Sequence, residues 1–207
     1  MHSLALLLFI PAGTLNYLNA WLFIGILFVP MFIVGIILMI KNPDLLRKRL
    51  NSKEKEAEQG ILLVMGGVMF ICGFVVAGLN YRFEWIILPK YIVYIGTIIF
   101  LLAYVLYAEV LRENMYLSRI IEIQENQKVI DTGLYSIIRH PMYLSTILLF
   151  LSIPLVLGSL FSFLIFLIYP VIIARRIRNE EQVLEEGLKG YSEYKKKVKY
   201  RVIPFIW

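Results

Sequence analysis

Four stretches without a single charged residue limit what this chain can fold into. Residues 15–40 supply 26 such positions, 61–79 supply 19, 91–108 supply 18 and 142–174 supply 33. A bilayer core about 30 Å thick is crossed by roughly 20 helical residues. Within lipid, a helix satisfies its backbone hydrogen bonds internally and without partners. The composition points the same way, with 59% hydrophobic and 17% charged residues, outside the range of soluble domains. The expected fold class is an all-α integral membrane protein that crosses the bilayer several times.

The block 142–174 decides the topology. As one helix, its 33 residues would extend about 50 Å, too long for a bilayer. Leu157-Gly158-Ser159 near its middle offers a turn. Folding there gives two short spans, 142–157 and 159–175, as a helical hairpin. Charge supports the hairpin, because 19 of the 21 Lys and Arg residues then share one side, leaving Arg82 and Lys90 opposite. An unbroken helix would split them 10 to 11. Basic residues concentrate on the cytoplasmic side of membrane proteins. Five spans are therefore expected, at about 15–40, 61–80, 90–111, 142–157 and 159–175, with the loops between charged stretches and the C-terminal tail cytoplasmic. Pro30 is expected to kink the first span, as membrane helices tolerate. Residues 41–60 mix both signs and read as a solvated connector. Residues 3–10 form a short apolar stretch without a basic leader or an obvious cleavage site; a half-helix at the interface and a remnant of a longer segment both fit.

Little of the usual catalytic apparatus is present. Cys72 is the lone cysteine, lies inside an expected span and reads as buried filler. His2 and His140 are the two histidines, too few and too far apart for a usual zinc cluster, so a metal-free chemistry is expected. No glycine-rich phosphate loop occurs. Residues 112–141 and 175–207 total 63 positions, too few for a separate soluble catalytic domain. Any cofactor pocket must combine these stretches with the membrane helices.

Chemistry concentrates in two places. Residues 133–143, GLYSIIRHPMY, set Arg139-His140-Pro141 directly before an apolar span. The plain reading is a topogenic arginine followed by a helix-starting proline. The functional reading is that the imidazole at the membrane face bonds a ligand or changes charge, with Tyr135 and Tyr143 as interfacial anchors or as aromatic walls for a cation. The second place is Arg175-Arg176-Ile177-Arg178-Asn179-Glu180-Glu181, expected to prolong the last helix. Arg176 and Glu180 are four apart and share a face. A surface ion pair explains them, and so does a site. The tail basic cluster, Lys195, Lys196 and Lys197, reads as a contact to membrane lipids. The net charge of +6 is accounted for by topology, so no nucleic-acid partner is expected.

Taken in order, these stretches resemble the isoprenylcysteine carboxyl methyltransferase family and its bacterial and archaeal relatives. The pattern G-x-Y-x-x-x-R-H-P-x-Y is supplied by Gly133, Tyr135, Arg139, His140, Pro141 and Tyr143. R-x-x-x-E-E-x-x-L follows with Arg176, Glu180, Glu181 and Leu184, then Tyr191, Tyr194 and a closing Pro204. The resemblance covers about residues 110–207. It implies an organisation of membrane helices over 1–111 and a catalytic region over 112–207, with S-adenosyl-L-methionine as methyl donor. By position, Gln124, Gln127, Lys128, Val129, Ile130, Tyr135, His140, Pro141, Met142 and Tyr143 would line the cofactor. Glu180 would hold the cofactor, and Arg176 would hold the carboxylate of a lipid-like or prenylated substrate. The two together would form the catalytic pair. The linker from Gln124 to Tyr135 is shorter here than in eukaryotic members, and Ser145 stands where a glycine is usual.

The chemistry implied suits these residues. Methyl transfer from a sulfonium needs positioning above all, and a carboxylate acceptor is already ionised at neutral pH. A phospholipid N-methyltransferase is the nearest alternative, and its amine acceptor would need a base such as His140 or Glu180. A sterol-type reductase using a nicotinamide cofactor has a related loop, but Met142, Ser145 and Thr146 depart from it. A non-enzymatic transporter would call for ionisable groups within spans, where only Glu109 comes near.

Overall fold

A computed structural model describes residues 2–50, 57–117, 121 and 123–207. It is built from helices throughout, with only two isolated β-bridges among the described residues. In chain order these are α1 (His2–Ala12), α2 (Leu18–Lys41), α3 (Pro43–Leu50), α4 (Ala57–Phe83) and α5 (Lys90–Glu113). A 3-10 turn (Gly133–Ser136) precedes α6 (Pro141–Leu157), α7 (Leu160–Phe166), α8 (Ile168–Gly187) and α9 (Tyr191–Lys197). Among the described residues four helical segments are long and apolar enough to cross a membrane: Leu18–Lys41, Gly60–Phe83, Lys90–Glu113 and Leu160–Gly187. The shorter apolar α6 packs most extensively against α5. The chain is an integral membrane, multi-pass, all-α protein.

The expected hairpin is present. Gly158 takes φ +75, a left-handed conformation that favours glycine. The Ser159 side chain then caps α7 by accepting from Ser162 N at 3.3 Å. The α4–α5 loop meets this turn through Leu88 N to Gly158 O at 3.2 Å and the Ile87–Ser159 bridge. At the opposite end of α6, Arg139 N donates to Tyr200 O at 2.9 Å and His140 N to Arg201 O at 2.8 Å. The turn and the tail therefore lie at opposite ends of α6.

Packing follows from small residues and aromatic rings. A Cβ at Gly96 of α5 would lie 2.7 Å from Leu155 Cβ of α6, so the absent side chain sets how closely these helices approach. Phe23, Phe100 and Phe166 are fully buried; Phe23 meets Phe100 edge-on at 5.9 Å, and Phe70 meets Phe166 edge-on at 5.5 Å. Buried polar groups within the helical bundle are satisfied at several points, as lipid surroundings require. Asn80, 2% exposed, donates to Ile86 O at 3.0 Å and accepts from Ile86 N at 3.2 Å. Tyr17 donates to Leu157 O at 2.6 Å and Tyr104 to Leu27 O at 2.9 Å. Outward faces remain apolar, with Phe32, Ile36, Ile40, Ile98 and Leu102 exposed.

Several expectations need correction. The solvated connector expected at 41–60 contains helical structure: 43–50 forms α3, with Leu45 buried, and α4 begins at Ala57. Its residues 51–56 lie outside the described residues. Asn42 explains the entry into α3, since its side chain accepts from Leu45 N at 3.2 Å, a capping interaction. Cys72 is exposed on the surface of α4, because helical periodicity turns it away from the buried Phe74 and Ala77. Pro30 lies inside the continuous α2, which forms where the first span was expected. The last span divides at Leu167 into α7 and α8. Residues 2–12 form a helix whose Leu8, Phe9 and Ala12 are buried, packed on α4 at Gly78.

Candidate active site

The loop before α6 is held from three directions. Gly133 has φ +46, and a Cβ there would collide with the Glu113 carboxylate. Glu113, at the end of α5, accepts from Leu134 N at 3.1 Å and from the Thr132 hydroxyl at 3.1 Å. Tyr135 is buried; its hydroxyl accepts from Asn114 Nδ2 at 3.0 Å, and its carbonyl accepts from the Tyr194 hydroxyl at 2.7 Å. Pro141 then opens α6 at its first turn, where its missing N–H costs nothing.

The two adjacent acids of α8 have separate surroundings, since successive residues on a helix point about 100° apart. Glu181, 2% exposed, faces inward. Its Oε1 accepts from Arg139 Nε at 2.8 Å and lies 3.3 Å from His140 Nε2; its Oε2 accepts from Arg201 Nε at 2.9 Å. Arg139 also donates to the carbonyls of Val198 at 2.6 Å and Lys199 at 2.8 Å. This cluster ties the loop, α8 and the tail together; burial works against the Glu181 charge, but hydrogen bonds from His140, Arg201 and Arg139 hold its carboxyl well below the usual carboxylate range. Glu180 faces the other way. It accepts from the Tyr143 hydroxyl at 2.5 Å, and that hydroxyl accepts from Arg176 Nε at 3.0 Å. His140 Nδ1 lies 3.9 Å from Glu180, so the imidazole sits between the two acids.

These groups border one open cleft. Of the residues expected at the cofactor, Gln127, Lys128, Val129, Ile130, Tyr135, His140, Met142 and Tyr143 line it, together with Arg176 and Glu180. Gln124 and Pro141 stand outside the lining. Gln124 instead shapes the linker: its Nε2 donates to Tyr116 O at 2.6 Å, and its N donates to Gln127 Oε1 at 2.8 Å. Pro141 is buried as the first residue of α6. Arg139, Leu184, Tyr191 and Tyr194 complete one side, all of them present in the sequence pattern without an assigned role. Asn114, Tyr116, Leu117 and Ile121 form a further wall that no motif signalled, because they enter only where the chain leaves α5.

The wall is rich in neutral phenols. Burial, reinforced by nearby carboxylates, pushes Tyr191 well above the ordinary phenol range, and burial does the same for Tyr135 and Tyr194. Tyr135 and Tyr194 have the partners described. The Tyr191 hydroxyl is buried with no hydrogen-bond partner among the described residues. Aromatic rings together with the Glu180 carboxylate form a surroundings suited to a cationic ligand.

A family model is similar to the part of the chain that builds this cleft. Residues 91–190 match the family of phospholipid methyltransferases. The match spans α5, the loop, the hairpin, α8 and the α8–α9 connection, and so contains Tyr143, Arg176 and Glu180. It supports the wider class of membrane methyltransferases, without selecting the isoprenylcysteine branch. The chain is also similar to a Delta(14)-sterol reductase of Mus musculus, at 30% identity over 84 residues, which is 39% of this chain and 20% of the reductase. The chain thus spans about a fifth of the length of that curated relative.

Proposed function

We propose that this protein is an S-adenosylmethionine-dependent methyltransferase acting on a lipid-like substrate, with a carboxylate of an isoprenylcysteine-type amphiphile as the acceptor. The observation that carries this reading is the Glu180–Tyr143–Arg176 chain of hydrogen bonds in the wall of a cleft between the apolar helices and the charged tail. The cleft residues fit the cofactor, since tyrosine rings and one carboxylate complement a sulfonium.

When bound, S-adenosylmethionine supplies an activated methyl group on a sulfonium. Residues 127–130, Tyr135, His140 and Glu180 would hold it, with Glu180 accepting from a ribose or amino group. Arg176 would grip an acceptor carboxylate in a planar, directional manner that an ammonium cannot reproduce. Tyr143, bonded to both Arg176 and Glu180, would keep acceptor and donor in one register. Such positioning is the main requirement of a displacement reaction. The loops and tail that build this cleft would face the cytoplasm, and the lipid would enter from the membrane.

A second reading, methylation of a phospholipid amine, is favoured by the family match over residues 91–190. Glu180 or His140 would then take the proton of the acceptor. The deciding experiment measures methyl transfer to paired amphiphiles that differ only in carboxylate or amine headgroup, using wild type and Arg176→Lys. With a carboxylate acceptor, Arg176→Lys keeps cofactor affinity and loses turnover. With an amine acceptor the substitution leaves turnover nearly unchanged, since Lys keeps the positive charge and no carboxylate needs the bidentate fork. Loss of cofactor binding with no headgroup dependence would overturn the role given to Arg176. Titrating a nicotinamide cofactor alongside tests the reductase resemblance.

A further inference from the structure

Tyr191 stands out among the cleft residues. It is 4% exposed, lines the cleft and has a hydroxyl with no partner among the described residues. A buried, unsatisfied hydroxyl lowers stability and calls for an explanation. Its neighbour on the same short helix, Tyr194, is of the same type and similarly buried, yet donates to Tyr135 O at 2.7 Å. Tyr191 also sits apart from the membrane core, in a small apolar cluster with Leu188, Tyr194 and Val198 against Val129.

We propose that the Tyr191 hydroxyl is a hydrogen-bond donor to the methyl-donor cofactor, and that this cleft keeps the donor at a cost in the stability of the free protein. The inference rests on the cofactor reading above. It has a thermodynamic signature that a structural tyrosine lacks. Replacing Tyr191 by Phe removes the unsatisfied group and keeps the ring, so the ligand-free protein melts at a higher temperature while its affinity for the cofactor falls. Tyr194→Phe breaks an internal bond and so lowers the melting temperature of the ligand-free protein.

The experiment uses the full chain in lipid nanodiscs, with S-adenosylmethionine titrated into wild type, Tyr191→Phe and Tyr194→Phe, and thermal unfolding followed without ligand. The expected result for Tyr191→Phe is about five- to tenfold weaker binding, the size of one neutral hydrogen bond, with an unchanged or raised melting temperature. Wild-type affinity in Tyr191→Phe overturns the proposal alone. A lowered melting temperature in Tyr191→Phe also overturns it, since the hydroxyl would then have a structural role. Failure of the wild type to bind S-adenosylmethionine overturns the cofactor reading and this proposal with it.

Discussion

Truncating Glu181 would leave the Arg139 guanidinium, 6% exposed, facing His140 and Arg201 without the carboxylate that pairs with it. Breaking a buried pair from one side costs about 3–5 kcal/mol, so Glu181→Ala is expected to lower the unfolding temperature strongly. Its neighbour behaves differently. Glu180 is only partly buried and lines the cleft, so Glu180→Ala should fold normally and bind S-adenosylmethionine less well. Loss of a charged hydrogen bond in a water-poor cleft is worth about 1.5–3 kcal/mol, or roughly 10- to 150-fold in affinity. His140→Ala should also weaken binding. Melting curves and cofactor titrations on the three variants check both claims, and wild-type affinity in Glu180→Ala would count against the site. The resemblance singled out Glu180 of the pair in the sequence, but the anchoring of Arg139, His140 and Arg201 by Glu181 was not legible, because it depends on the rotation of α8 against the loop and tail.

Glycine controls two turns at the scale of elements. A side chain at Gly158 would adopt φ +75 and bring its Cβ within 2.9 Å of Asn19 Nδ2. A left-handed residue with a Cβ costs about 1–2 kcal/mol, so Gly158→Val should weaken the hairpin and lower the unfolding temperature by a comparable amount of stability. Gly133→Ala acts elsewhere: its Cβ would displace the Glu113 carboxylate that caps the 3-10 turn. The expected effect is a loosened loop, with cofactor affinity reduced more than stability; equal losses in both would argue against that role. The hairpin turn was legible because Leu157-Gly158-Ser159 interrupts an otherwise uniform apolar run. The helix α3 was not, because its charged composition resembles a connector.

Across the whole molecule, the distribution of Lys and Arg makes an orientation testable. With Cys72, exposed on α4, first replaced by Ser, single cysteines at Glu84, Asn126 and Ser192 should label asymmetrically in sealed cells. An impermeant reagent applied outside should reach position 84 and neither of the others; equal labelling at all three would refute the five-span orientation. The uncharged blocks determined the helical membrane class and the approximate spans by themselves, since lipid accepts long apolar helices and tolerates few alternatives. The motif residues likewise announced where chemistry concentrates, and most of them meet in one cleft. Only the tertiary structure brought Asn114 and Tyr116 to that cleft, moved Gln124 out of its lining, made Glu181 the anchor for Arg139, His140 and Arg201, and left the Tyr191 hydroxyl unpaired. The physical reason is that hydropathy is a property of each segment alone, whereas a hydrogen-bond partner is set by residues distant in the chain whose relative rotation and depth are decided when the helices pack.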